Sequence, residues 1–249
     1  MIASQALILV AGTFAGACVG SYAATTALRM TRAEQAVAGR SRCDACGVAL
    51  GFARTAPVIS YISLGGACAD CGGRIDPIHL AGEVGGAVVV LAALLVAPPL
   101  TAALLVALGL LLLTTALVDA KTQRLPDALT AAIAVIGAVL AAQRSATDLA
   151  IGVAAAALTF AVFEAIRRGF LATQGKPGLG FGDVKLAAAL ALWLGLATPW
   201  AMAAASVLGL AAMGVVRPAN GRLSFGPAIA LAAFAIGLIR EAWAWPGLV

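Results

Sequence analysis

A chain of 249 residues that is 62% hydrophobic and only 11% charged cannot be an ordinary soluble domain, which carries about 25% charged residues. Its mean hydropathy is +1.02, and its length admits one membrane domain with a small insertion but not a string of soluble domains. The formal net charge of +5 is placed in a way that reports topology, so nucleic-acid binding need not be invoked.

The first apolar run, 4–28, has no Lys or Arg before it, and Arg29 follows it. A cleaved signal peptide has the reverse order. The expectation is an uncleaved transmembrane helix over 1–30 with its N-terminus outside. Cys18, within this run, is read as a small packing residue.

The polar insertion 31–76 follows. It carries Cys43-Asp44-Ala45-Cys46 and Cys68-Ala69-Asp70-Cys71, with 21 residues between the pairs and Gly47 and Gly72 after them. Each pair forms a knuckle that aims two thiolates at one ion, and four thiolates complete a tetrahedral Zn²⁺ shell. A closed shell implies a structural role, stapling a segment too small to hold a core. The alternative is two disulfides, which a reducing cytoplasm disfavours.

The remaining apolar runs are 77–97, 100–118, 128–142, 149–166, 184–197, 199–216 and 225–243, making eight in all. Six of the eight reach the roughly 17–25 residues that a spanning helix needs, and the fourth and sixth are short. The fold class expected is all-α: a polytopic integral membrane protein of about eight transmembrane helices with a small cytoplasmic zinc-binding loop. Residues 77–249 form a seven-helix membrane domain after the first helix and the loop. With the N-terminus outside, 14 of the 16 Lys and Arg face the cytoplasm: Arg29, Arg32, Arg40, Arg42, Arg54, Arg74, Lys121, Arg124, Arg167, Arg168, Lys176, Lys185, Arg217 and Arg222. Only Arg144 and Arg240 fall outside, a strong positive-inside bias. Trp243 and Trp245 suit an interfacial anchor.

Two aspartates mark the chemistry. Asp119 ends the third run, and Asp183 opens the sixth within Gly180-Phe181-Gly182-Asp183-Val184-Lys185. Ionisable residues at a bilayer edge are functional candidates by default. Two at one depth form a dyad that shares a proton, one carboxylate taking a proton from water and the other serving the scissile carbonyl. Gly180 and Gly182 permit close backbone approach; the alternative for Asp183 is a helix cap. Asp127 is read as the cap of the fourth helix, Lys185 as an interfacial cation, and Glu164 as the partner of Arg167 and Arg168. Glu83 needs a partner or a wet cavity, and a structural hydrogen bond is one reading. The single histidine, His79, excludes an HExxH zinc site; no Gly-x-Ser-x-Gly elbow, Walker motif or dinucleotide fingerprint is present.

In order along the chain, Gly16 to Tyr22 with Arg29, the two CxxC pairs around Pro57-Val58-Ile59-Ser60-Tyr61, Asp119-Ala120-Lys121 through Leu125-Pro126-Asp127, the Gly180–Lys185 motif and Phe225-Gly226-Pro227 resemble the bacterial type IV prepilin peptidases, aspartic proteases of the GxGD class. Tyr22 stands where Phe is usual, and Thr25-Thr26 where Asn-Val-type residues are common. The resemblance implies cleavage of the basic leader of type IV prepilins or type II secretion pseudopilins at the cytoplasmic face of the inner membrane. It also implies N-methylation of the new N-terminal residue with S-adenosylmethionine. Glu83 matches a glutamate in the family's second helix, which implies the other readings for it, holding the loop or assisting methyl transfer. The alternatives are a general GxGD intramembrane protease and a zinc-stapled assembly factor without protease activity.

Overall fold

The computed structural model describes residues 2–32, 34, 39–175, 178–215 and 224–244. Lys176, Arg217, Arg222 and Trp245 lie outside the described residues. Those described form helices and their connections, with two isolated β-bridges, Arg42 to Ala49 and Ala67 to Arg74. The helices are α1 (Ile2–Thr31), a short α2 (Ile59–Ser63), α3 (Ile78–Val96), α4 (Pro99–Thr122), α5 (Asp127–Arg144), α6 (Ala146–Gln174), α7 (Phe181–Leu194), α8 (Thr198–Val215) and α9 (Gly226–Ala244).

Local chemistry sets several of these boundaries. Pro99 occupies the first turn of α4, where its missing N–H costs nothing. Gln123 ends that helix in the left-handed region at φ 52°, donating its N–H to Asp119 O at 2.8 Å. Ser145 caps α6 by accepting the Asp148 N–H at 2.9 Å. α4 and α6 both overrun the apolar stretches that the sequence marks. Asp119 therefore sits inside the last turns of α4, not beyond its end. α6 continues to Gln174 because Glu164 pairs with Arg167 at 2.7 Å and Arg168 at 2.6 Å, so the charges do not stop the helix.

Among the described residues, seven segments are long and apolar enough to cross a membrane, and one of them, Phe181–Gly214, joins two of the expected runs. A three-residue 3₁₀ turn, Gly195–Ala197, divides it into α7 and α8. The chain reverses there. The space at Gly209 on α8 is filled by the Phe225 ring, one residue before the start of α9. The next N–H, that of Gly226, bonds Asp119, and Asp119 acts electrostatically on Asp183 in the first turn of α7. α8 has thus returned to the end from which α7 departed. Seven apolar segments consequently make eight passes. α7, at 14 residues, is the short one, and α5 spans 18.

Two packing schemes hold the bundle. α4, α5, α7, α8 and α9 surround Leu105, Leu108, Ile133, Leu190, Trp193 and Ile229, all fully buried. α1 and α3 instead meet backbone to backbone. A Cβ on Gly20 would lie 1.9 Å from Gly82 O, and one on Gly16 would lie 2.4 Å from Gly86 O. Each helix thus carries a small-xxx-small pair facing the other, which lets membrane helices touch without intervening side chains.

Candidate active site

Asp119 is 5% exposed, and its carboxylate is seated by a helix 107 residues away: the Gly226 N–H, at the start of α9, donates to Asp119 Oδ2 at 2.9 Å. Ser224 Oγ donates to the Asp119 backbone oxygen at 2.9 Å. A helix N-terminus presents unpaired N–H groups, so it holds a carboxylate well. Asp183 is half-buried in the first turn of α7, takes a hydrogen bond from the Gly180 N–H, and feels the charge of Asp119. The first of these is a cap-like contact, and the second is an electrostatic effect between two carboxylates.

Three glycines let these parts meet. A Cβ on Gly226 would lie 2.7 Å from Asp119 Oδ2; one on Gly182 would lie 2.9 Å from the Leu125 Cβ; one on Gly180 would lie 2.8 Å from Asp183 Oδ2. Real Cβ atoms do not approach so closely, so the α7 start presses on the α4–α5 link only because Gly182 is bare.

The four loop cysteines form a second constellation. Their sulfurs lie within 4.8 Å of one another, and Cys43 Sγ and Cys71 Sγ are 3.9 Å apart. A disulfide needs about 2.05 Å; sulfurs around a tetrahedral ion at about 2.3 Å lie roughly 3.8 Å apart. The two knuckles are alike. The N–H groups of Gly47 and Gly72 bond the carbonyls of Cys43 and Cys68 at 2.9 and 2.8 Å, with both glycines in the left-handed region. The N–H groups of Cys46 and Ala45 draw the Cys43 thiol down to about 7. Although the Gly73 N–H favours its thiolate, the sulfurs of Cys46, Cys68 and Cys43 push the Cys71 thiol up to about 12. Four sulfurs can all ionise together only around a cation, which is what a metal site requires.

The Type IV leader peptidase family matches residues 106–215, which contain both aspartates, and the Bacterial Peptidase A24 N-terminal domain matches residues 14–97, which contain the cysteines. A prepilin leader peptidase/N-methyltransferase of Neisseria gonorrhoeae is 31% identical over 208 residues, 79% of this chain and 70% of that protein. The chain belongs to the type IV leader peptidase family. A protein of the same name from Burkholderia pseudomallei (strain 1026b) is 36% identical over 191 residues, 75% of this chain and 60% of that relative. One from Dichelobacter nodosus is 30% identical over 200 residues, covering 77% and 68%. No solved structure gives a significant match.

Glu83, Asp127 and Lys185 have partners that the sequence does not reveal. Glu83 is buried and holds the loop: its Oε1 accepts the Ser21 hydroxyl at 2.8 Å and its Oε2 the Val58 N–H at 2.6 Å. Val58 has φ 62°, a costly conformation for a β-branched residue, and the buried carboxylate offsets that cost. Asp127 is not a side-chain cap. Pro126 holds the cap position with no such bond, and Asp127, in the first turn of α5, pairs with Lys185 on α7. Lys185 is accordingly an ion-pair partner and not a lone interfacial cation. It also lies 5.2 Å from the Phe181 ring centre, which Arg167 approaches at 5.3 Å.

Ser224 and Gly226 are the residues that reading the sequence for ionisable groups passes over. Their only sequence signal is Phe225-Gly226-Pro227, a proline just inside a helix start. The loop is joined to the dyad helix by Asp76, which accepts Lys121 Nζ at 2.6 Å and the Ile78 N–H at 3.0 Å. Burial alone would raise the Asp76 carboxyl, but these two donors hold it below its ordinary value.

Proposed function

We propose that the chain is an aspartic endopeptidase that removes the basic leader of type IV prepilins or pseudopilins at the cytoplasmic face of the bacterial inner membrane, with Asp119 and Asp183 as its catalytic pair. The observation that carries this reading is the approach of the two aspartates at one end of the bundle, Asp119 in the last turn of α4 against the start of α9 and Asp183 in the first turn of α7, each packed against glycine. The ionised partner takes a proton from water as it attacks the scissile carbonyl. The neutral partner donates its proton toward the carbonyl oxygen, and the amine leaves protonated, so no metal or covalent intermediate is needed. Gly180, Gly182 and Gly226 keep the approach open. The Asp127–Lys185 pair ties the α5 start to the α7 start beside the dyad.

Cys43, Cys46, Cys68 and Cys71 hold Zn²⁺ as a staple for the loop 31–76, outside the chemistry. N-methylation of the new amino terminus with S-adenosylmethionine is the second activity, which the names of the relatives carry. Residues 1–30 serve as the first helix, 31–76 as the zinc loop and 77–249 as the peptidase domain.

Cleavage of a pilin-like substrate by Asp119→Asn and Asp183→Asn variants tests the reading. Each should lose at least about 10²–10⁴-fold in rate, the usual worth of a positioned acid or base, with membrane insertion unchanged. Substantial residual cleavage in either would remove the dyad. Equal cleavage of unrelated transmembrane helices by the wild type would favour a general intramembrane protease.

A further inference from the structure

Where α1 leaves its apolar span, a cavity of about 300 Å³ opens between that helix, the tetracysteine loop and the start of α3. Arg29, Arg32, Arg40, Arg42, Arg54 and Arg74 line it with three carboxylates, Glu34, Asp44 and Glu83, and Arg54 is itself paired with Asp70. Two of those carboxylates are engaged: Asp44 with Arg32 at 2.7 Å, and Glu83 with Ser21 and Val58. The Arg29 guanidinium donates to the carbonyls of Gly39 at 3.1 Å and Arg40 at 3.3 Å. The Arg42 guanidinium reaches the same spot: a Cβ on Gly39 would lie 3.6 Å from Arg29 and 4.0 Å from Arg42.

A second cavity of about 280 Å³ continues this one, sharing Ser21, Thr25 and Arg29 with it. It is floored by Phe14, Cys18 and Tyr22, which are exposed on α1 between Ser4 and Thr31, the segment that crosses the bilayer. The pair of cavities thus runs from a guanidinium cluster at headgroup depth to an apolar face at acyl-chain depth.

We propose that the paired cavity binds one anionic phospholipid, its phosphate between Arg29 and Arg42 and an acyl chain along Phe14, Cys18 and Tyr22. The shared chemistry is a phosphate anion, and the apolar continuation selects a lipid over soluble phosphate. A sulfonium methyl donor is itself net cationic and matches the convergence of Arg29 and Arg42 poorly. Basic pockets beside transmembrane helices bind anionic headgroups in this way.

The test is retention of lipid by the purified full chain in detergent, read by native mass spectrometry, so it does not depend on peptidase activity. Wild type passed through phosphatidylglycerol should keep one molecule, and through phosphatidylcholine none. Arg42→Gln with Arg74→Gln should retain phosphatidylglycerol about 30-fold less well, the factor two membrane-surface cations supply. Arg42→Lys with Arg74→Lys should retain it nearly as the wild type does. Equal retention of the two lipids, or undiminished retention by the glutamine pair, overturns the site. Release of the lipid by millimolar inorganic phosphate would reassign the cavity to a soluble anion, and release by S-adenosylmethionine would reassign it to the methyl donor; either overturns the lipid assignment. Should the glutamine pair fail to fold, the wild-type lipid preference and the two competitions still decide.

Discussion

Gly226 shows how much of this site is carried by residues with no side chain. Its N–H bonds Asp119 at 2.9 Å, and a methyl group in place of its hydrogen would lie 2.7 Å from the same carboxylate. At the other aspartate Gly180 has the equivalent role, and Gly182 admits the α4–α5 link, with the Leu125 Cβ 2.9 Å from where its own Cβ would be. Gly226→Ala and Gly182→Ala should therefore shift the carboxylates apart and lower kcat by about 10²-fold, as small misplacements in a reacting geometry do. Overpacking should also cost about 1–3 kcal/mol of stability. Gly169→Ala, with nothing within 4 Å of the added carbon, is the control and should leave cleavage intact. Full kcat in either site variant would show that the close contacts do not position the dyad. The two aspartates were legible in the sequence because a carboxylate stands out in an apolar chain. Their seats were not, since Ser224 and Gly226 reach Asp119 across more than 100 residues and neither carries a charge.

At the scale of elements, the most informative is α7, fixed at both ends. One end carries Asp183. At the other, the Trp193 carbonyl, left unpaired by the helix terminus, accepts Arg144 at 2.7 Å and Arg240 at 2.6 Å. Arg144 also pairs with Glu241, whose Oε1 takes the Trp193 indole N–H at 2.9 Å, and Arg240 pairs with Asp148. Gly237 makes room for the Trp193 ring, which a Cβ there would strike at 1.9 Å. Arg144 and Arg240 were visible in the sequence only as the two cations that broke the charge asymmetry. The structure explains them as a clamp on a helix too short to reach further. Glu241 is 1% exposed, so Arg144→Gln would strand a buried charge and should cost about 3–5 kcal/mol, while Arg144→Met with Glu241→Gln should recover most of it. Unfolding in mixed micelles measures both. The tetracysteine cluster is the contrasting feature, its four sulfurs legible from sequence because the CxxC spacing is local. Purified protein should hold about one Zn²⁺ per chain, and Cys68→Ser should release it, since a closed shell fails when one thiolate is lost. Cleavage should then weaken through the Asp76–Lys121 link to α4 and not vanish. A Cys68→Ser protein with full zinc by elemental analysis would remove the four-cysteine shell.

For the whole molecule, hydropathy and topology part company at one place. By length and apolarity the described residues hold seven spanning segments, and an odd number of crossings would put the loop 31–76 and the C-terminus on the same side. Yet Gly195, in the left-handed region at φ 52°, breaks the longest segment, and the Arg144–Arg240 clamp on Trp193 marks the far face of the bundle just before it. α8 then descends beside α9 until Gly209 meets Phe225, level with the dyad. A helix that carried straight on past Gly195 would instead leave the bundle, and Ala201 and Ala205, fully buried in the core, could not be where they are. Eight crossings put the loop and the C-terminus on opposite sides. Paired topology reporters, one inserted at Arg40 and one fused after Val249, should give opposite signals, with the Arg40 signal cytoplasmic as the positive-inside bias requires. Signals from the same side would mean that α7 and α8 make a single pass. The seating of Asp119 by α9 would then have to be rebuilt from a different arrangement of helices.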